Sequence, residues 1–384
     1  MHAGIVIVGG NILGASVAAE LARRADPLRD PVAILEEAAL EERGPATATI
    51  VEEPGGAMRA AFVDGARALL QFEARTGRGI GLGRPGLIDL RTDEDHAEAI
   101  AEALEVESVD GGTLDRRRAL CDVQRLHAEV LALGRTRGVI TRPGTCVERI
   151  EVDGDRVLLH TLKGEDDVTW EADRVVITDP GAVRRFFPAL AEHLRLERRV
   201  EVAFESPRFA SGFASGFVSG FVSVGTVRGS VGDLHDVFES MAAGAPAADP
   251  LTEFFAAGEQ LDYPHPVIRG EGFDVYPNPL DRQVIVASPG SAYDPAVLAR
   301  FSPLFAELQP VAEPRHVRLA RPSDDIPVIG PAPGYANGRV FVAAGLDRRA
   351  AQLASGLAPG VAAHLFDETQ AVYDPAVVTP ARFA

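Results

Sequence analysis

The sequence contains almost no lysine. Arginine supplies 37 of the 38 basic residues, and the single lysine, Lys163, lies in the turn-like segment LKGEDD. A Schiff base to pyridoxal phosphate needs a buried lysine amine. The sequence therefore argues against that chemistry.

Cysteine is also scarce. Cys121 and Cys146 show no pairing pattern and no C-x-x-C motif, so we expect neither a disulfide framework nor a cysteine metal site. The nine histidines are scattered, and none lies at metal-ligand spacing. We therefore predict that the protein binds no metal.

Long hydrophobic runs and an excess of positive charge are missing as well. No apolar run approaches the ~20 residues needed to span a bilayer, and Met1-His2-Ala3 leads directly into an apolar strand without a basic or cleavable leader. The formal net charge of -18 opposes binding to nucleic acid and to anionic membrane surfaces. With 384 residues and 46% hydrophobic content, the chain can form two domains with a real core. We predict a cytoplasmic protein that binds neither nucleic acid nor membranes.

The first motif that is present is a glycine turn in GIVIVGGNILGASVAAELARR. An apolar run enters the turn and apolar residues then recur at helical spacing, which predicts a strand, a tight turn and a helix. In the dinucleotide fingerprint G-x-G-x-x-G, the first glycine makes the turn, the second admits the pyrophosphate, and the third lets helix and strand pack closely. Gly9 and Gly14 fill the first and third places, whereas Asn11 occupies the second. The Asn11 side chain either crowds the pyrophosphate or forms a hydrogen bond with it.

Other segments continue this organisation. PVAILEE predicts a second strand ending at Glu36, where the fingerprint has an acid for a ribose hydroxyl, although a solvated strand end fits Glu36 equally well. Residues 146–178 alternate apolar and polar residues around two turns, which predicts a three-stranded meander followed by a buried strand over Arg174–Thr178. Near the carboxyl end, GRVFVAAGLDRRAAQLASG again predicts a strand, a turn and a helix.

These segments predict an α/β protein in which a Rossmann-like domain is assembled from distant parts of the chain. Its segments are 1–85, 141–196 and 316–384. Residues 86–140 and 197–315 form a second α+β domain built on a mixed or antiparallel sheet. Within it, FASGFASGFVSGFVSVG repeats phenylalanine and glycine at four-residue spacing over residues 209–223. This repeat is either a packed core or interface segment or a mobile substrate lid.

Together, these segments resemble the flavin-dependent D-amino-acid oxidase family, which includes glycine oxidase and monomeric sarcosine oxidase. The likeness rests on the order and spacing of VIVGGNILGASVAAELA, VAILEEA, ADRVVITDPGA, RPSDDIPVIGPAPG, GRVFVAAGLDRRAAQLASG and DPAVVTPARF. It implies that noncovalent FAD lies extended in the first domain. A small amino acid or amine would then lie over the flavin ring, beneath the sheet of the second domain.

The resemblance also implies the site residues. Arg321 in ARPSDD and Arg348 in AGLDRR fall where glycine oxidase has arginines near the substrate carboxylate, and Arg59 in GGAMRAAF is a third candidate. A planar guanidinium matches a carboxylate, although surface or ion-pair arginines are the competing interpretation. The residues expected to hold FAD are Gly9, Gly10, Asn11, Ile12, Leu13, Gly14, Glu36, Glu37, Ala46, Thr47, Thr49, Val147, Gly181, Gly345, Arg349, Ala350, Ala351 and Gln352.

The sequence departs from the family pattern at several positions. Asn11 replaces a glycine, and Leu346-Asp347-Arg348-Arg349-Ala350 replaces a glycine-rich run that many members have after the last strand. Asp274 stands where relatives often have an active-site tyrosine. The lysine that assists the reaction with oxygen in sarcosine oxidase-like members is missing, so oxygen is not expected to be the preferred electron acceptor.

We therefore predict an FAD-dependent oxidoreductase that oxidises the amine of a small amino acid or derivative by hydride transfer to flavin N5. One alternative is a flavoprotein-fold subunit that no longer binds FAD and serves as a binding partner. Another is a nicotinamide-linked or other flavin enzyme. The substrate, its stereochemistry, the acceptor and the oligomeric state, whether homo-oligomer or complex with a partner subunit, stay open.

Overall fold

The computed structural model describes the chain in segments. The described residues are 1–37, 47–50, 56–77, 79–89, 107–109, 112–115, 118–205, 267–270, 272–278, 283–290, 310–335, 338–366, 368–370 and 372–383. Ala46 and the phenylalanine and glycine repeat at 209–223 lie outside these residues.

The described part of the chain contains both strands and helices. The strands are β1 (His2–Val8), β2 (Val32–Glu36), β3 (Thr47–Ile50), β4 (Leu87–Asp89), β5 (Glu107–Val109), β6 (Gly112–Asp115), β7 (Ala119–Asp122), β8 (Ile140–Pro143), β9 (Cys146–Asp153), β10 (Arg156–Lys163), β11 (Asp166–Ile177), β12 (Leu194–Glu205), β13 (Val267–Gly270), β14 (Phe273–Asn278), β15 (Gln283–Pro289), β16 (Arg315–Pro322), β17 (Val328–Pro331) and β18 (Val340–Ala344). The helices are α1 (Ile12–Arg24), α2 (Arg59–Thr76), α3 (Val123–Thr136), α4 (Pro180–Phe186), α5 (Pro188–His193), α6 (Ala350–Leu365) and α7 (Pro375–Val378), with 3-10 turns at Asp347–Arg349 and Pro380–Phe383.

The first large sheet brings the amino-terminal and carboxyl-terminal strand-turn-helix units side by side. Its strand order is β17-β18-β11-β1-β2-β8, and all neighbours from β18 to β8 pair in parallel. The edge strand β17 pairs antiparallel with β18. Since the carboxyl ends of parallel strands meet at one edge of a sheet, the turns after β1, β2, β11 and β18 lie along the same edge.

Strand β11 joins the predicted meander to the predicted buried strand. Its first part pairs antiparallel with β10, which in turn pairs antiparallel with β9. Its second part pairs in parallel with β1 and β18. The third meander strand and the buried strand Arg174–Thr178 are thus one continuous strand.

Both faces of the first sheet are buried. On β1, Ile5 and Ile7 belong to a core formed with helices α1, α2, α3 and α6, whereas Val6 and Val8 belong to a second core formed with the β9–β10 hairpin and α4. This alternation follows from the two-residue period of a strand. An apolar residue at every position of the strand is typical of a parallel sheet that is covered on both sides.

Helices α2 and α6 cross so closely that their backbones touch. A Cβ added at Gly65 would lie 2.0 Å from the Gln352 carbonyl oxygen, and a Cβ at Gly356 would lie 1.9 Å from the Ala61 carbonyl oxygen. Both positions therefore require glycine. Gln352 is buried there, and its Nε2 donates to the Phe62 carbonyl oxygen at 2.9 Å.

Helix α3 packs against α1. Its buried residues Val123, Leu126 and Val130 share a core cluster with α1. The sequence assigned residues 86–140 to the second domain, but α3 contributes to the core beside the first sheet. The division into two domains stays a prediction.

The second large sheet is mostly antiparallel. Its strand order is β16-β12-β15-β14-β13-β4-β6-β5, and β13 with β4 is its parallel pair. A small sheet pairs β3 with β7. The predicted fold class, a Rossmann-like parallel sheet combined with a mixed second sheet, is confirmed. No helix in the described ranges is both long and apolar enough to cross a membrane.

Candidate functional site

The glycine turn after β1 is shaped by close backbone approaches. Gly9 has a φ of 114°, and a Cβ there would lie 2.5 Å from the Asp179 amide nitrogen. A Cβ at Gly14 would lie 2.0 Å from the Gly9 carbonyl oxygen and 2.7 Å from Thr178 Oγ1. The first glycine is thus fixed by a positive φ and by the end of β11, and the third by the packing of α1 against the turn.

Asn11 has a structural role that the sequence did not predict. It is the N-cap of α1: its Oδ1 accepts from the Gly14 amide at 3.0 Å, and its Nδ2 donates to the Thr178 carbonyl oxygen at 2.8 Å. Both ends of the amide side chain are therefore bound within the protein. Because Ile12 and Leu13 begin the helix, their N–H groups have no partner within it and form the positive end of the helix dipole.

Gly10 connects the turn to the end of β2. Its N–H donates to Glu36 Oε2 at 2.5 Å, and Glu36 is 1% exposed. Its carbonyl oxygen lies 2.6 Å from Nε2 of His127, a buried residue of α3, so Nε2 is the nitrogen that carries the proton. Burial lowers the pKa of His127. His127 was not predicted from the sequence, because its contact with Gly10 joins positions that are 117 residues apart.

The remaining predicted cofactor residues of the amino-terminal half lie on neighbouring elements. The exposed Glu37 accepts from Arg185 at 3.2 Å, and Val147 is buried on β9. Gly181 lies in the first turn of α4, where a Cβ would lie 2.9 Å from Asp179 Oδ2. Thr47 and Thr49 lie on β3 and pair with β7.

The carboxyl-terminal unit places the other predicted cofactor residues at the start of α6. Gly345 has a φ of 86°, and a Cβ there would lie 2.6 Å from Pro322 Cγ at the end of β16. Arg349 donates to the Asp325 carbonyl oxygen at 2.8 Å, and its guanidinium carbon lies 5.7 Å from the centre of the Phe62 ring. Ala350, Ala351 and Gln352 form the first turn of α6.

The glycine turn after β1 and the end of β2 fit the adenosine diphosphate part of a dinucleotide such as FAD. The turn brings its backbone close to β11 only because Gly9 and Gly14 lack side chains, and Asn11 folds back to cap α1. The buried Glu36 carboxylate lies beside the turn at the end of β2, which is the place of the ribose-binding acid in the fingerprint. The strand-turn-helix geometry is therefore intact despite the missing second glycine.

One face of the second sheet carries a row of charges. The pairing registers show which residues lie side by side across the strands: in sheet order they are Arg315, Glu201, Ala287, Asp274, Arg269 and Asp89. Within this row Arg315 lies 3.7 Å from Glu201, and Arg269 lies 3.2 Å from Asp274. Opposite charges on adjacent strands stabilise a sheet when they face each other.

Asp274 is the centre of a buried ion-pair cluster. Its Oδ2 accepts from Arg199 at 2.5 Å and from Arg348 at 3.0 Å, and its Oδ1 accepts from Arg269 at 3.2 Å. Burial alone would raise the pKa of Asp274, but these three guanidinium groups hold it below its usual value. The neighbouring Tyr276 is buried as well, and burial raises its pKa to about 12. Asp274 is therefore a charged carboxylate and Tyr276 a neutral phenol at neutral pH.

Arg348 links the 3-10 turn before α6 to this cluster. Its Nη1 donates to Asp274, and its Nη2 donates to Glu197 Oε1 at 2.8 Å. Glu197 also lies 3.8 Å from Nε of the buried Arg199. Beside Arg348, Asp347 has a φ of 52°, and its buried Oδ1 accepts no hydrogen bond within the described residues.

Arg321 reaches the same neighbourhood from β16. The β12–β16 register pairs Arg321 with Arg195, two residues from Glu197 and on the same face. Its side chain forms a bidentate ion pair with Asp325: Nε donates to Oδ1 at 2.6 Å and Nη2 donates to Oδ2 at 3.0 Å. Asp325 is the main cause of the raised pKa of Arg321, and Asp347 and Glu197 add to it. Arg321 and Arg348 therefore border Glu197 from two sides, whereas Arg59 is the exposed first residue of α2.

Glu197, Arg199 and Arg269 were not predicted as site residues from the sequence. A signal was present in LRLERRVEVAFE, where Glu197, Arg199 and Glu201 alternate with other residues and so share one face of a strand. The depth of that face was not predictable, because it depends on strands that are distant in sequence.

Comparisons with known proteins address the fold. No protein-family model matches the sequence, and no curated protein sequence matches it. Solved structures do match over nearly the whole chain. Glycine oxidase from Geobacillus kaustophilus has a TM-score of 0.67 and 19% identity, covering 98% of this chain and 98% of its own.

Two further solved structures show the same likeness. L-proline dehydrogenase from P. horikoshii has a TM-score of 0.64 and 13% identity, covering 100% of this chain and 98% of its own. L-Amino acid deaminase from Proteus myxofaciens has a TM-score of 0.65 and 12% identity, with coverages of 100% and 94%. The resemblance inferred from sequence is confirmed at the level of the fold: this chain shares the fold of amino-acid oxidases of the D-amino-acid oxidase family.

Proposed function

We propose that the protein is an FAD-dependent oxidoreductase that oxidises the C–N bond of a small amino acid or amino-acid derivative. The observation that carries this proposal is the glycine turn, whose close approaches at Gly9 and Gly14 keep a backbone cradle beside the buried Glu36. The fold is shared with an amino-acid oxidase, a dehydrogenase and a deaminase, which supports the same class of reaction.

The residues that would hold FAD divide into two groups. In the first group, the N–H groups of Ile12 and Leu13 would donate to the pyrophosphate and Glu36 would accept from the ribose. In the second, the N–H groups at the start of α6, from Arg349 to Gln352, would stabilise negative charge on the reduced flavin through the helix dipole. Neither cysteine lies in the segments RLARPS and AAGLDRR, so we propose that FAD is held noncovalently.

When bound, FAD would accept the substrate's Cα hydrogen and its bonding electron pair at flavin N5, while the nitrogen lone pair forms a C=N bond that water later hydrolyses. The task left to the protein is orientation. We assign this task to the charged face of the second sheet around Glu197 and Asp274, with Arg321 and Arg348 beside it. Arg59 stays a weaker candidate.

The test is the visible spectrum of the purified protein. Bound flavin should give a band near ~450 nm, and acid precipitation should release the yellow colour into the supernatant if the cofactor is noncovalent. A colourless protein that takes up no added FAD would contradict the proposal and favour the FAD-free binding subunit. The cytoplasmic location and the assembly into a homo-oligomer or with a partner subunit stay predictions.

A further inference from the structure

We infer that the substrate of this site carries no free carboxylate: it is an amine, or an amino acid whose carboxyl group is blocked as an amide or ester. This inference rests on the proposed function and names the substrate class for it. Its basis is that carboxylates of the protein itself occupy both arginines that the sequence suggested for a substrate carboxylate.

The Arg348 guanidinium already binds two carboxylates of the protein. A carboxylate is bound most tightly when two N–H groups of one guanidinium point at its two oxygens. In Arg348, Nη1 already donates to Asp274 at 3.0 Å and Nη2 to Glu197 at 2.8 Å. Two carboxylates thus neutralise this arginine from two directions.

The Arg321 guanidinium is occupied in the same way. Its Nε and Nη2 donate to the two oxygens of Asp325, which is the geometry that a bound substrate carboxylate would adopt. Asp325 has a φ of 61°, outside the region that most residues other than glycine adopt. The turn that presents Asp325 to Arg321 is therefore a defined feature of the chain.

A substrate carboxylate would have to displace one of these acids. Asp274 has a side chain that is 3% exposed and is held by Arg199 and Arg269 as well as by Arg348, so it cannot move into solvent, and a carboxylate that displaced it from Arg348 would lie beside a like charge. Glu197 is more exposed, at 28%, but it also compensates the buried Arg199. When Arg321, Asp325 and Asp347 are counted with the cluster, four arginines face four acidic side chains, so the region has no formal excess of positive charge.

An unused acceptor lies next to the occupied arginine. Asp347 Oδ1 is buried and receives no hydrogen bond from any described residue. A buried carboxylate oxygen without a donor is costly, and an amine or amide N–H is the group that would satisfy it. Asp347 thus adds an unused acceptor beside Arg348, although the buried Arg199 Nε is a donor without a hydrogen-bond partner among the described residues.

The first experiment compares matched substrates on the wild-type FAD-bound protein. Anaerobic flavin bleaching is followed by stopped flow with glycine and glycinamide, sarcosine and sarcosinamide, and L- and D-proline with their amides. We expect each reactive amide to exceed its matched acid by at least about 10-fold in k/K, the ratio that corresponds to one lost contact of moderate strength. Faster bleaching by the acids would overturn the inference and leave the proposed function intact. Failure of every compound to bleach bound flavin would instead contradict the proposed function, and the inference with it.

The second experiment does not depend on turnover. Acetate binding is measured by isothermal titration calorimetry on the wild type, on Glu197→Gln, and on the control Glu205→Gln, which removes an exposed carboxylate from the other end of β12. Glu197→Gln removes the negative charge that Arg348 Nη2 binds and leaves only a neutral acceptor there, and we expect it to bind acetate at least about 10-fold more tightly than the wild type and the control. The variant Asp325→Asn opens Arg321 in the same way and serves as a second test if Glu197→Gln unfolds. Tight acetate binding by the wild type, or equal binding by all variants, would overturn the inference.

Discussion

The two large sheets use their residues in opposite ways. The first is apolar on both faces, and the polar groups of its candidate site lie at strand ends: Glu36 is the last residue of β2, and Thr178 follows β11. The second carries its polar groups on a face, with Asp274 and Arg199 buried in the middle of paired strands. A site at strand ends depends on backbone shape, whereas a site on a sheet face depends on side chains. We therefore expect the turn to tolerate Asn11 in place of the second glycine, whereas a single substitution in the cluster around Asp274 would leave a buried charge without its partner.

The largest effect is expected from breaking the cluster on the second sheet. Asp274→Asn would leave Arg199 and Arg348 without their shared carboxylate, and removal of one partner of a buried ion pair costs about 3–5 kcal/mol. The matched control is Asp325→Asn, whose pair with Arg321 is about half exposed and should contribute no more than about 1 kcal/mol. Urea unfolding of both variants provides the comparison. Equal destabilisation by the two substitutions would mean that burial does not distinguish these ion pairs.

A smaller loss of stability, with complete loss of cofactor, is expected from the turn of the first sheet. Gly14→Ala would force its Cβ into the Gly9 carbonyl oxygen, and overpacking of this kind costs about 1–3 kcal/mol. The shift of the turn should abolish FAD binding, measured by absorbance after gel filtration. Gly79→Ala is the control, because a Cβ there meets no atom within 4 Å. Retained FAD in Gly14→Ala would show that the turn is not the binding site.

The two sheets should also respond to acid in different pH ranges. Burial lowers the pKa of His127 in the folded state, so the unfolded chain binds more protons and stability falls as the pH drops below about 6.5. The pKa of Asp274 is lowered as well, so its contribution is present above about 3.9 and is lost as the pH falls through the folded-state value. One such group changes stability by at most about 1.4 kcal/mol per pH unit.

His127→Gln isolates the first of these ranges. Chemical denaturation between pH 7 and 5 should show a smaller decrease in stability for this variant than for the wild type, because glutamine does not titrate. FAD retention should follow the same pattern, since His127 contacts Gly10 in the turn. Identical pH profiles would assign the acid sensitivity to other groups.

The smallest effect is expected at Asn11. Loss of its cap in Asn11→Ala should cost about 1 kcal/mol of stability, and Asn11→Gly only a few tenths. Because both ends of the side chain bind Gly14 and Thr178, we expect either variant to keep its FAD affinity within about a factor of three. A large drop in FAD affinity for Asn11→Gly, seen by fluorescence titration, would show that the amide contacts the cofactor directly.

The sequence predicted the features that depend on local rules. The strand, turn and helix at both ends follow from apolar spacing and from glycines that a tight turn requires, as at Gly9 and Gly14. Arg321 and Asp325 are only four positions apart in the sequence. The alternative interpretation, in which Arg321 forms an ion pair within the protein, could therefore be seen in ARPSDD. The sequence did not show that the third meander strand and the following buried strand are one strand, β11. The alternation of apolar and polar residues does not reveal that β11 changes its partner from β10 to β1.

The contacts of the second sheet were beyond sequence reasoning. Arg348 and Asp274 are 74 residues apart, and Arg348 and Glu197 are 151 apart. Their meeting depends on the register of β12, β15 and β14, and a shift of one residue would turn every side chain to the other face. Such pairings are fixed by tertiary packing and carry no local signal.

The strand order of the first sheet has a consequence for synthesis of the protein. β1 precedes its partner strands in the chain: β2 is the next strand, but its other neighbour, β11, begins only at residue 166, and β18 follows at residue 340. At ribosomal speeds of about 5–20 residues per second, the open edge of β1 waits roughly 10–30 s for β11. An apolar strand with an unpaired edge is prone to intermolecular pairing during that interval. Rapid production of this protein should therefore depend on chaperones that cover nascent chains, and slower translation or co-expressed chaperones should raise its soluble yield.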